Sequence, residues 1–456
     1  MKKIIALLLA LVMVFGLVAC GAKEEAPAAE EKTEAPATEE KTEAPATEEK
    51  TEAPAEEAAA GSVYYLNFKP EADQAWQDLA ALYTEQTGVA VKVVTAASGD
   101  YDTTLNAQMG KDGAPTLFNC GNMAALANWD EYCLDLAGTD FANEMTTDSF
   151  NLYNEAGELK AAGYCYESFG IIVNTALLEK AGYTLADITN FETLKAVADD
   201  IHARAAELGF DAFSAPGLDG SSSWRFSGHL ANMPLYYEGV NEMVPEITGE
   251  KLDLFRNIWD LYITDTAADP ATLTSSTGDE STGQFKAGEA VFYQNGTWEF
   301  AGLIEAGLSA DDLAMIPIYC GAEGEEKAGL CSGTENCWAV NAKASEEDIQ
   351  ATLDFIAWVV TSEEGTTMMA EQFGPIPFKN AKASANVFFN NANEYMANGN
   401  YTVTWSFNYT PNVDSWRAGV VTALAAYSAD PSDANWEGVV SAFVDGWAIE
   451  YATVNG

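Results

Sequence analysis

Two tryptophans stand in polar surroundings where a core residue is not expected. Trp224 follows three serines at 221–223, and Trp298 follows the turn Asn295-Gly296-Thr297. Neither has the flanking apolar pattern of a core strand. An indole ring outside the core can cover the C–H face of a neutral ligand or hold a cation against its π-face. The two rings are therefore candidates for a binding surface.

The residue types needed for hydrolysis are poorly represented. The chain has two histidines, His202 and His229, and it contains neither G-x-S-x-G nor H-E-x-x-H, which disfavours serine-triad and zinc hydrolases. No glycine-rich phosphate motif follows a strand, so nucleotide binding lacks support. A carboxylate pair acting on a glycosidic bond stays open among so many acidic residues. We expect a binding protein that is not an enzyme and uses no cofactor.

The N-terminus carries an export signal. Lys2-Lys3 precedes a largely apolar run at 4–18, and small residues lead to Cys20. The run is shorter than the roughly 20 apolar residues that span a bilayer, and its order is that of a secretory signal. Cys20 stands where a bacterial lipobox places its diacylglyceryl-modified cysteine. We interpret residues 1–20 as a lipoprotein signal, and we expect the mature chain on the outer face of the cytoplasmic membrane, at the surface of a Gram-positive-type bacterium.

Residues 21–61 predict an acidic tether. Prolines recur every nine residues from Pro27 to Pro54, and the segment has no large aliphatic or aromatic side chain. Such a stretch cannot bury enough apolar surface to offset the entropy lost on ordering. We expect a disordered tether that reaches up to about 125 Å when fully extended at about 3.1 Å per residue.

The charge balance limits the partners. The chain has 22 basic and 70 acidic residues and a formal net charge of −48, and 16 of the basic and 57 of the acidic residues lie in 62–456. Nucleic acid and anionic lipid surfaces are poor partners for such a field. A neutral or cationic ligand is compatible with it.

Six cysteines follow Cys20, and their spacing includes no C-x-x-C pair or Cys/His zinc pattern, so we expect no metal site. Cys320 is near enough in sequence to Cys331 or Cys337 to close a loop. Whether the thiols pair outside the cell stays open, because spacing alone does not determine connectivity.

Strands and helices alternate along the remaining chain. A strand at 63–68, a helix at 71–87, a strand at 89–94, a helix at 101–109 and a strand at 116–118 follow one another with short connections. This order predicts βαβ units and a mainly parallel sheet.

A second run of elements begins with a strand at 170–174. Further strands are expected at 291–294, 313–316 and 337–340. Helices are expected at 176–181, 191–208, 249–262, 346–360, 363–372, 414–427 and 435–451. We predict an α/β fold with two parallel-sheet lobes and a helical C-terminal part.

Four motifs occur in a familiar order. Residues 83–91, YTEQTGVAV, resemble F-x-x-x-T-G-I-x-V, and residues 113–118 stand for G-x-x-P-D-V with Thr116 in place of the usual Asp. Residues 170–182 resemble G-L-x-Y-N-K-x-L-F-x-K-A-G, and residues 285–298 resemble F-x-x-G-x-A-A-M-x-x-x-G-x-W. Together they resemble the extracellular solute-binding proteins of carbohydrate ABC importers, the family that includes maltose-binding protein, over nearly all of 62–456.

The resemblance implies a periplasmic-binding-protein-like fold, in which two lobes are joined by a hinge and enclose the solute. It places the N-lobe at 62–166 plus 318–373 and the C-lobe at 167–317 plus 374–456. The chain would cross between lobes near Tyr166-Glu167 and Ile316-Pro317.

The resemblance also implies site residues. Lys69, just past the first strand, matches a ligand-contacting lysine, and Glu167 matches an acidic ligand residue near the hinge. Trp298 falls on the aromatic that lines the C-lobe side of the cleft. Trp416 resembles another family aromatic, and Arg417 beside it is a further candidate.

Three further site residues come from local sequence. Trp224 lies in a polar loop, where few neighbouring residues in the sequence are apolar enough to form a core around it. Asn119 and Asn122 follow a strand at its carboxyl end, where open α/β sheets hold ligands. Trp338 and Trp405 are expected in the core.

The resemblance implies a neutral oligosaccharide as ligand and ABC permease subunits as partners, with the protein acting as a monomer. A peptide- or polyamine-binding protein of the same architecture is an alternative, because the acidic field suits a cation. A secreted glycoside hydrolase and a sugar-binding adhesin are weaker alternatives. The identity of the sugar is not determined by the sequence.

Overall fold

Two β-sheets flanked by helices organise the chain. The computed structural model describes residues 61–455, so the expected lipidation site Cys20 and residues 21–60 of the tether lie outside the described part. The strands are β1 Val63–Asn67, β2 Val91–Thr95, β3 Leu117–Asn119, β4 Leu152–Tyr153, β5 Leu159–Gly163, β6 Glu167–Asn174, β7 Asp211–Phe213, β8 Ala290–Gly296, β9 Leu313–Ile316, β10 Ala328–Gly333, β11 Cys337–Val340 and β12 Tyr401–Thr404.

Helices cover the faces of both sheets. They are α1 Asp73–Thr87, α2 Tyr101–Met109, α3 Met123–Trp129, α4 Asp140–Asn143, α5 Thr175–Ala181, α6 Phe191–Ala203, α7 Ala205–Leu208, α8 Asn232–Glu238, α9 Leu252–Thr264, α10 Gly278–Lys286, α11 Glu299–Glu305, α12 Glu346–Thr361, α13 Glu363–Gln372, α14 Val387–Ala397, α15 Val413–Ala429 and α16 Asp433–Asn455. A π-helix spans Arg225–Leu230, and short 3-10 turns include Pro70–Ala72 and Ser406–Tyr409.

The first sheet has the strand order β2-β1-β3-β11-β5-β4. β1 runs parallel to β2 and β3, as the alternation of strands and helices predicts, whereas β11 returns from late in the chain and pairs antiparallel with β3 and β5. One face packs on Trp76 of α1 and Phe355 of α12, and the other packs on Leu105 of α2 and Leu126 of α3. This sheet is the centre of the N-lobe.

The second sheet has the order β12-β10-β6-β8-β7, and β9 also pairs with β6. Alternate residues of a strand point to opposite faces. Accordingly Phe169, Ile171 and Val173 of β6 enter one hydrophobic core, and Ile172 enters the other. This sheet is the centre of the C-lobe.

The chain crosses between the sheets three times. Residues 164–166 join β5 to β6, and residues 334–336 join β10 to β11. The third crossing falls between Lys379, whose N–H bonds Glu144 of the N-lobe, and Asn386, whose side chain bonds Thr297 of the C-lobe.

The expected lobe boundaries after residue 317 are wrong. Residues 318–333 lie in the C-lobe rather than the N-lobe, because β10 pairs with β6 and Ile318 enters the C-lobe core. Residues 374–379 lie in the N-lobe rather than the C-lobe, since Phe378 packs in its core. The sequence pattern misses β10 because Ala-Gly-Leu-Cys-Ser-Gly lacks the branched and aromatic residues that mark strands.

The predicted α/β fold of two lobes with a helical C-terminal region is confirmed. The expectation of parallel sheets is corrected, because both sheets are mixed and β11, β5, β6, β8 and β10 form antiparallel pairs.

Three further features bear on the sequence-based expectations. The six cysteines of the described part are unpaired and buried. No three His, Cys, Asp or Glu side chains within 61–455 are arranged to hold a metal ion. In the same range, no helix is long and apolar enough to cross a bilayer.

Candidate functional site

Lys69 links the two lobes at their boundary. It follows β1 of the N-lobe, and its Nζ donates to both carboxylate oxygens of Glu167 in the C-lobe, at 2.9 and 3.1 Å. Nζ also lies 3.3 Å from Glu71 and 4.8 Å from the ring centroid of Trp298. Burial alone would lower the pKa of Lys69, but the charges of Glu167 and Glu71 outweigh it and raise the pKa. The ammonium therefore remains charged.

Glu167 is the first residue of β6 and is buried, like Lys69. Its carboxylate also accepts a hydrogen bond from Asn336 Nδ2 at 2.7 Å. Asn336 lies in the second crossing, so this bond ties the two neighbouring crossings together. Buried charges are stable only when they are paired and hydrogen-bonded, and the trio Lys69, Glu167 and Asn336 meets that requirement.

An aromatic cluster of the C-lobe adjoins this ion pair. The rings of Trp224 and Trp298 are 6.0 Å apart, and His229 lies 5.0 Å from the first and 5.4 Å from the second. The imidazole of His229 stacks on Phe169 at 3.9 Å with an interplanar angle of 8°. Both tryptophans are partly exposed, unlike the core rings. The structure thus brings together Trp224, Trp298, Lys69 and Glu167, four of the predicted site residues.

His229 is a residue of this cluster that no sequence pattern indicates. It lies in the π-helix, a conformation that is rare and frequent at functional sites. Burial, with the nearby charges of Arg417, Arg225 and Lys69, lowers the pKa of His229 well below its ordinary value, so the imidazole is neutral. Its Nδ1 lies 3.1 Å from Gln294 Nε2. A lone histidine between Gly228 and Leu230 matches no binding or catalytic motif in the sequence.

Asn119 and Asn122 have structural partners in the N-lobe. Asn119 is buried, and its Oδ1 accepts the backbone N–H of Cys337 at 3.0 Å. Asn122 caps α3 by accepting the N–H of Ala125 at 2.9 Å, and its Nδ2 lies 3.5 Å from Glu335. They shape the N-lobe edge of the cleft near the second crossing. Direct contact with a ligand stays a prediction for both.

The expectation for Trp416 is wrong. Its ring is only 1% exposed and packs between α15 and α16, 4.7 Å from Phe443, and its Nε1 donates to the Phe443 carbonyl. It belongs to the core because residue 416 faces the second helix of the pair. Its neighbour Arg417 points elsewhere, with its guanidinium 5.5 Å from Phe407. Trp338 and Trp405 are buried, as expected.

Acidic side chains from opposite lobes meet where the cleft is closed. Ser98 of the N-lobe donates to the Ser221 carbonyl of the C-lobe at 3.4 Å. Partial desolvation and the neighbouring carboxyl of Asp414 raise the pKa of Asp102 to about 7, although much of the Asp102 residue remains exposed. Burial and the charge of Glu71 likewise raise the pKa of Glu299 to about 7. Closure therefore brings carboxyls close enough to favour protonation.

Comparison with known proteins decides the family. Residues 78–427 match the model of the bacterial extracellular solute-binding protein family. The chain belongs to that family. A search of curated proteins finds no match to this solute-binding protein.

Solved structures share the fold of this solute-binding protein. RafE in complex with raffinose has a TM-score of 0.66 at 14% identity, covering 85% of this chain and 99% of that one. A chitin oligosaccharide binding protein has a TM-score of 0.64 at 15% identity, covering 86% and 99%. The GacH receptor of Streptomyces glaucescens, solved unliganded and with acarbose, has a TM-score of 0.60 at 18% identity, covering 87% and 99%.

Proposed function

We propose that this protein captures a neutral oligosaccharide between its lobes and delivers it to the permease of an ABC importer, without catalysis. The observation that carries the proposal is the contact of Trp298 with the Lys69–Glu167 pair at the lobe boundary, with Trp224 beside Trp298. Proteins of the same fold bind raffinose and acarbose. That likeness supports a sugar as the ligand here.

The side chains suit the two surfaces of a sugar ring. Indole rings can cover its C–H face, and stacked aromatic contacts contribute about 0.5–1.5 kcal/mol beyond area burial. Lys69, Glu167 and Asn336 provide donors and acceptors for hydroxyl groups. Hinge closure would bury the solute and give the permease a surface to recognise.

Location and assembly complete the proposal. Cys20 would hold the monomer at the outer face of the cytoplasmic membrane, and the tether of residues 21–61 would let the lobes move freely above the bilayer. The lobes of 62–456, with the boundaries corrected above, would bind solute independently of the anchor.

An amine-bearing ligand, such as a polyamine, is the second candidate function. The face of Trp298 and the carboxylates of Glu167 and Glu71 already surround one ammonium, that of Lys69. Cation–π contacts use the same rings as sugar stacking. These surroundings support an amine as the alternative ligand, one that would take the place of the Lys69 ammonium between the carboxylates.

A thermal-shift screen tests the choice between these ligands. Purified protein is heated with mono- and oligosaccharides, with spermidine and with short peptides. A ligand at 100 times its Kd should stabilise the fold by about 2.7 kcal/mol, so an oligosaccharide should raise the Tm and spermidine should not. A shift with spermidine alone would overturn the proposal in favour of the second candidate.

A further inference from the structure

The lobes contact each other on the side of the cleft that lies away from the first two crossings. The turn at 97–100 follows β2, the edge strand of the first sheet, and the loop at 214–224 follows β7, the edge strand of the second. β2 lies three strands from β11, where the second crossing enters the N-lobe, and at about 4.8 Å per strand this is about 14 Å. We call the contact between these segments the rim contact, and its residues are Ser98, Gly99, Gly220 and Ser221.

The N-lobe side of the rim contact is a tight turn. The N–H of Asp100 donates to the Ala97 carbonyl at 3.0 Å, and Gly99 has a φ of +81°. A positive φ at the third residue is typical of a type II turn, and glycine adopts it without strain. The turn leads directly into α2, which begins at Tyr101. Ser98 and Gly99 therefore form the tip of a short, hydrogen-bonded turn.

The two segments approach each other at their backbones. A Cβ at Gly99 would lie 2.4 Å from the Gly220 carbonyl oxygen, so only glycine allows this approach. Ser98 Oγ donates to the Ser221 carbonyl at 3.4 Å, which is long for a bond between oxygen atoms. Close backbone packing, rather than a strong hydrogen bond, therefore defines the rim contact.

The C-lobe side of the rim contact is held in place by its own lobe. Asp219 Oδ1 accepts from both the N–H and the hydroxyl of Ser221, at 3.0 and 2.7 Å. The N–H of Gly278, the first residue of α10, donates to Ser221 Oγ at 3.0 Å. The loop therefore presents a fixed surface to the N-lobe.

The same loop carries Trp224 of the proposed binding site. The Ser221 carbonyl that faces Ser98 also accepts the indole Nε1–H of Trp224 at 2.9 Å. Arg225, next along the chain, is buried and donates to the Gln294 carbonyl of β8 at 3.0 Å. One carbonyl thus contacts the opposite lobe and holds a ring of the proposed binding site.

Distance from the crossings makes the rim contact sensitive to the angle between the lobes. On an arm of about 14 Å, a rotation of about 10° about the crossings moves the rim by about 2.5 Å, which is enough to break a hydrogen bond. Hinge movement about such crossings is how two-lobe proteins open and close. The rim contact therefore exists only over a narrow range of lobe angles.

We propose that the rim contact is a closure stop. Ser98 and Gly99 meet Gly220 and Ser221, set how far the lobes close, and thereby position Trp224 against the enclosed ligand. The role in ligand binding rests on the proposed function, whereas the stop itself does not. Ser98 and Gly99 are positioning residues, since they act through Ser221 and Trp224.

Matched glycine variants test the stop. Gly99→Asn keeps the positive φ, which asparagine tolerates, and adds a side chain at the rim contact. Gly113→Asn is the control, because Gly113 has a φ of +73° in the same lobe and a Cβ there would meet no atom of the described residues within 4 Å. Gly220→Ala is a second control, since a Cβ at Gly220 likewise has open space among the described residues.

Calorimetry with raffinose, maltotriose, a chitin oligosaccharide and spermidine measures binding. Gly99→Asn should weaken the binding of whichever of these the wild type binds about 10- to 100-fold, as expected when one or two hydrogen bonds of the closed form are lost. Gly113→Asn and Gly220→Ala should change affinity by no more than about twofold. The Tm should fall equally in the two asparagine variants.

Trp224→Ala shows whether the stop acts through that ring. In a Trp224→Ala background, the loss of affinity caused by Gly99→Asn should shrink to about threefold or less, because residues that act together are not additive. A general loss of folding would be the same in both backgrounds. The same loss of affinity in both backgrounds would disprove the positioning role of Ser98 and Gly99.

A disulfide probe follows the rim contact without a ligand. Ser98→Cys and Gly220→Cys are combined, since both positions are exposed and the six cysteines of the described part are buried. Diamide takes up the two hydrogens when the new thiols join, which requires Cβ atoms about 3.5–4.5 Å apart. The disulfide should form in the ligand-free protein. Adding Gly99→Asn should slow its formation at least about tenfold, whereas adding Gly113→Asn should not.

Equal affinity in Gly99→Asn and Gly113→Asn, or equal rates of disulfide formation, would overturn the closure stop while the proposed function stands. A wild-type protein that binds none of the sugars would overturn the proposed function, and the disulfide rates would still decide the stop. If Gly99→Asn does not fold, Gly99→Ala takes its place. If neither folds, Gly99 is required by the N-lobe itself and the proposal fails.

Discussion

Lys69 and Glu167 form a buried ion pair that joins the two lobes, with Nζ 2.9 Å from Oε1. Lys69 follows β1 of the N-lobe and Glu167 begins β6 of the C-lobe, and the face of Trp298 lies against the same ammonium. The pair therefore bridges the two lobes next to the first crossing. The proposed function therefore predicts that the affinity for solute and the free energy of closure depend on the same two side chains.

Replacing Glu167 should weaken closure more than folding. In Glu167→Gln the ammonium of Lys69 loses its main partner when the lobes close, and breaking a buried pair costs up to about 3–5 kcal/mol. Water can solvate Lys69 in the open form, so the Tm should change little. Calorimetry should show at least a 100-fold loss of affinity.

Lys195→Met is the matched control for this prediction. Lys195 pairs with Asp199 on an exposed helix face, with about half of each side chain exposed. Such a pair contributes about 0.2–1 kcal/mol at most. An unchanged affinity in Glu167→Gln would show that the ion pair has no part in binding.

Trp298→Ala and Trp338→Ala should separate binding from folding. Trp298 is partly exposed beside Trp224, and removing its ring should lower affinity roughly 30- to 150-fold through about 2–3 kcal/mol of lost contact. Trp338 is fully buried in the N-lobe core, so its truncation should cost about 3–5 kcal/mol of stability. Calorimetry and thermal unfolding on both variants check the prediction. A large loss of stability with unchanged affinity in Trp298→Ala would show that Trp298 is a core residue.

Affinity should rise as the pH falls from 8 to 5.5. In the closed form Glu299 and Asp102 have their pKa raised to about 7, above the ordinary value of about 4. Between about pH 4 and pH 7 these two carboxyls are protonated in the closed form and ionised in an open, solvated form. Closure therefore takes up protons in this range. Lowering the pH through 7 therefore favours closure. Above pH 7 the ionised carboxylates of Glu299 and Glu71, and those of Asp102 and Asp414, repel each other and oppose closure.

The charged surroundings of the two groups define the variants for the pH test. Glu299 accepts a hydrogen bond from Asn295, and its pKa responds to Glu71, Arg225, Lys286 and Lys69. Asp102 faces Asp414, Glu335 and Arg417. Glu299→Gln and Asp102→Asn should each flatten the pH dependence measured by calorimetry. A wild-type affinity that is constant or falls with acidity would rule out this linkage.

Cys20→Ser should release the protein from the membrane fraction without changing its affinity. The reason is that the proposed anchor acts only through the tether of residues 21–61. Deletion of 31–54 should also leave affinity in solution unchanged. Fractionation of cells and calorimetry check both. A variant that stays with the membrane would disprove the lipoprotein interpretation.

Local elements could be predicted wherever the sequence pattern was strong. The helix at 101–109 and the strands at 313–316 and 337–340 occur as predicted, because their spacing and their end signals agree. The strand at 328–333 and the lobe to which it belongs could not be predicted, because small residues carry no strand pattern and pairing with β6 is a tertiary contact.

The site residues likewise divide into those that the sequence reveals and those that only the folded structure reveals. Trp224, Trp298, Lys69 and Glu167 could be found because they stand out from their surroundings or match a family motif. Trp416 could not be excluded, since the face of a helix that packs on α16 is set only by the tertiary structure. His229 carries no local signal, because its place beside Trp224 and Trp298 is set only by the folded chain.

Calorimetric titration of the purified protein with raffinose, maltotriose and a chitin oligosaccharide, followed by chromatography of the recovered sugar, tests the central claim most directly. The account predicts saturable binding of at least one oligosaccharide at one site per chain, with the sugar recovered intact. Cleavage of the sugar, or binding of spermidine with no response to any oligosaccharide, would contradict it.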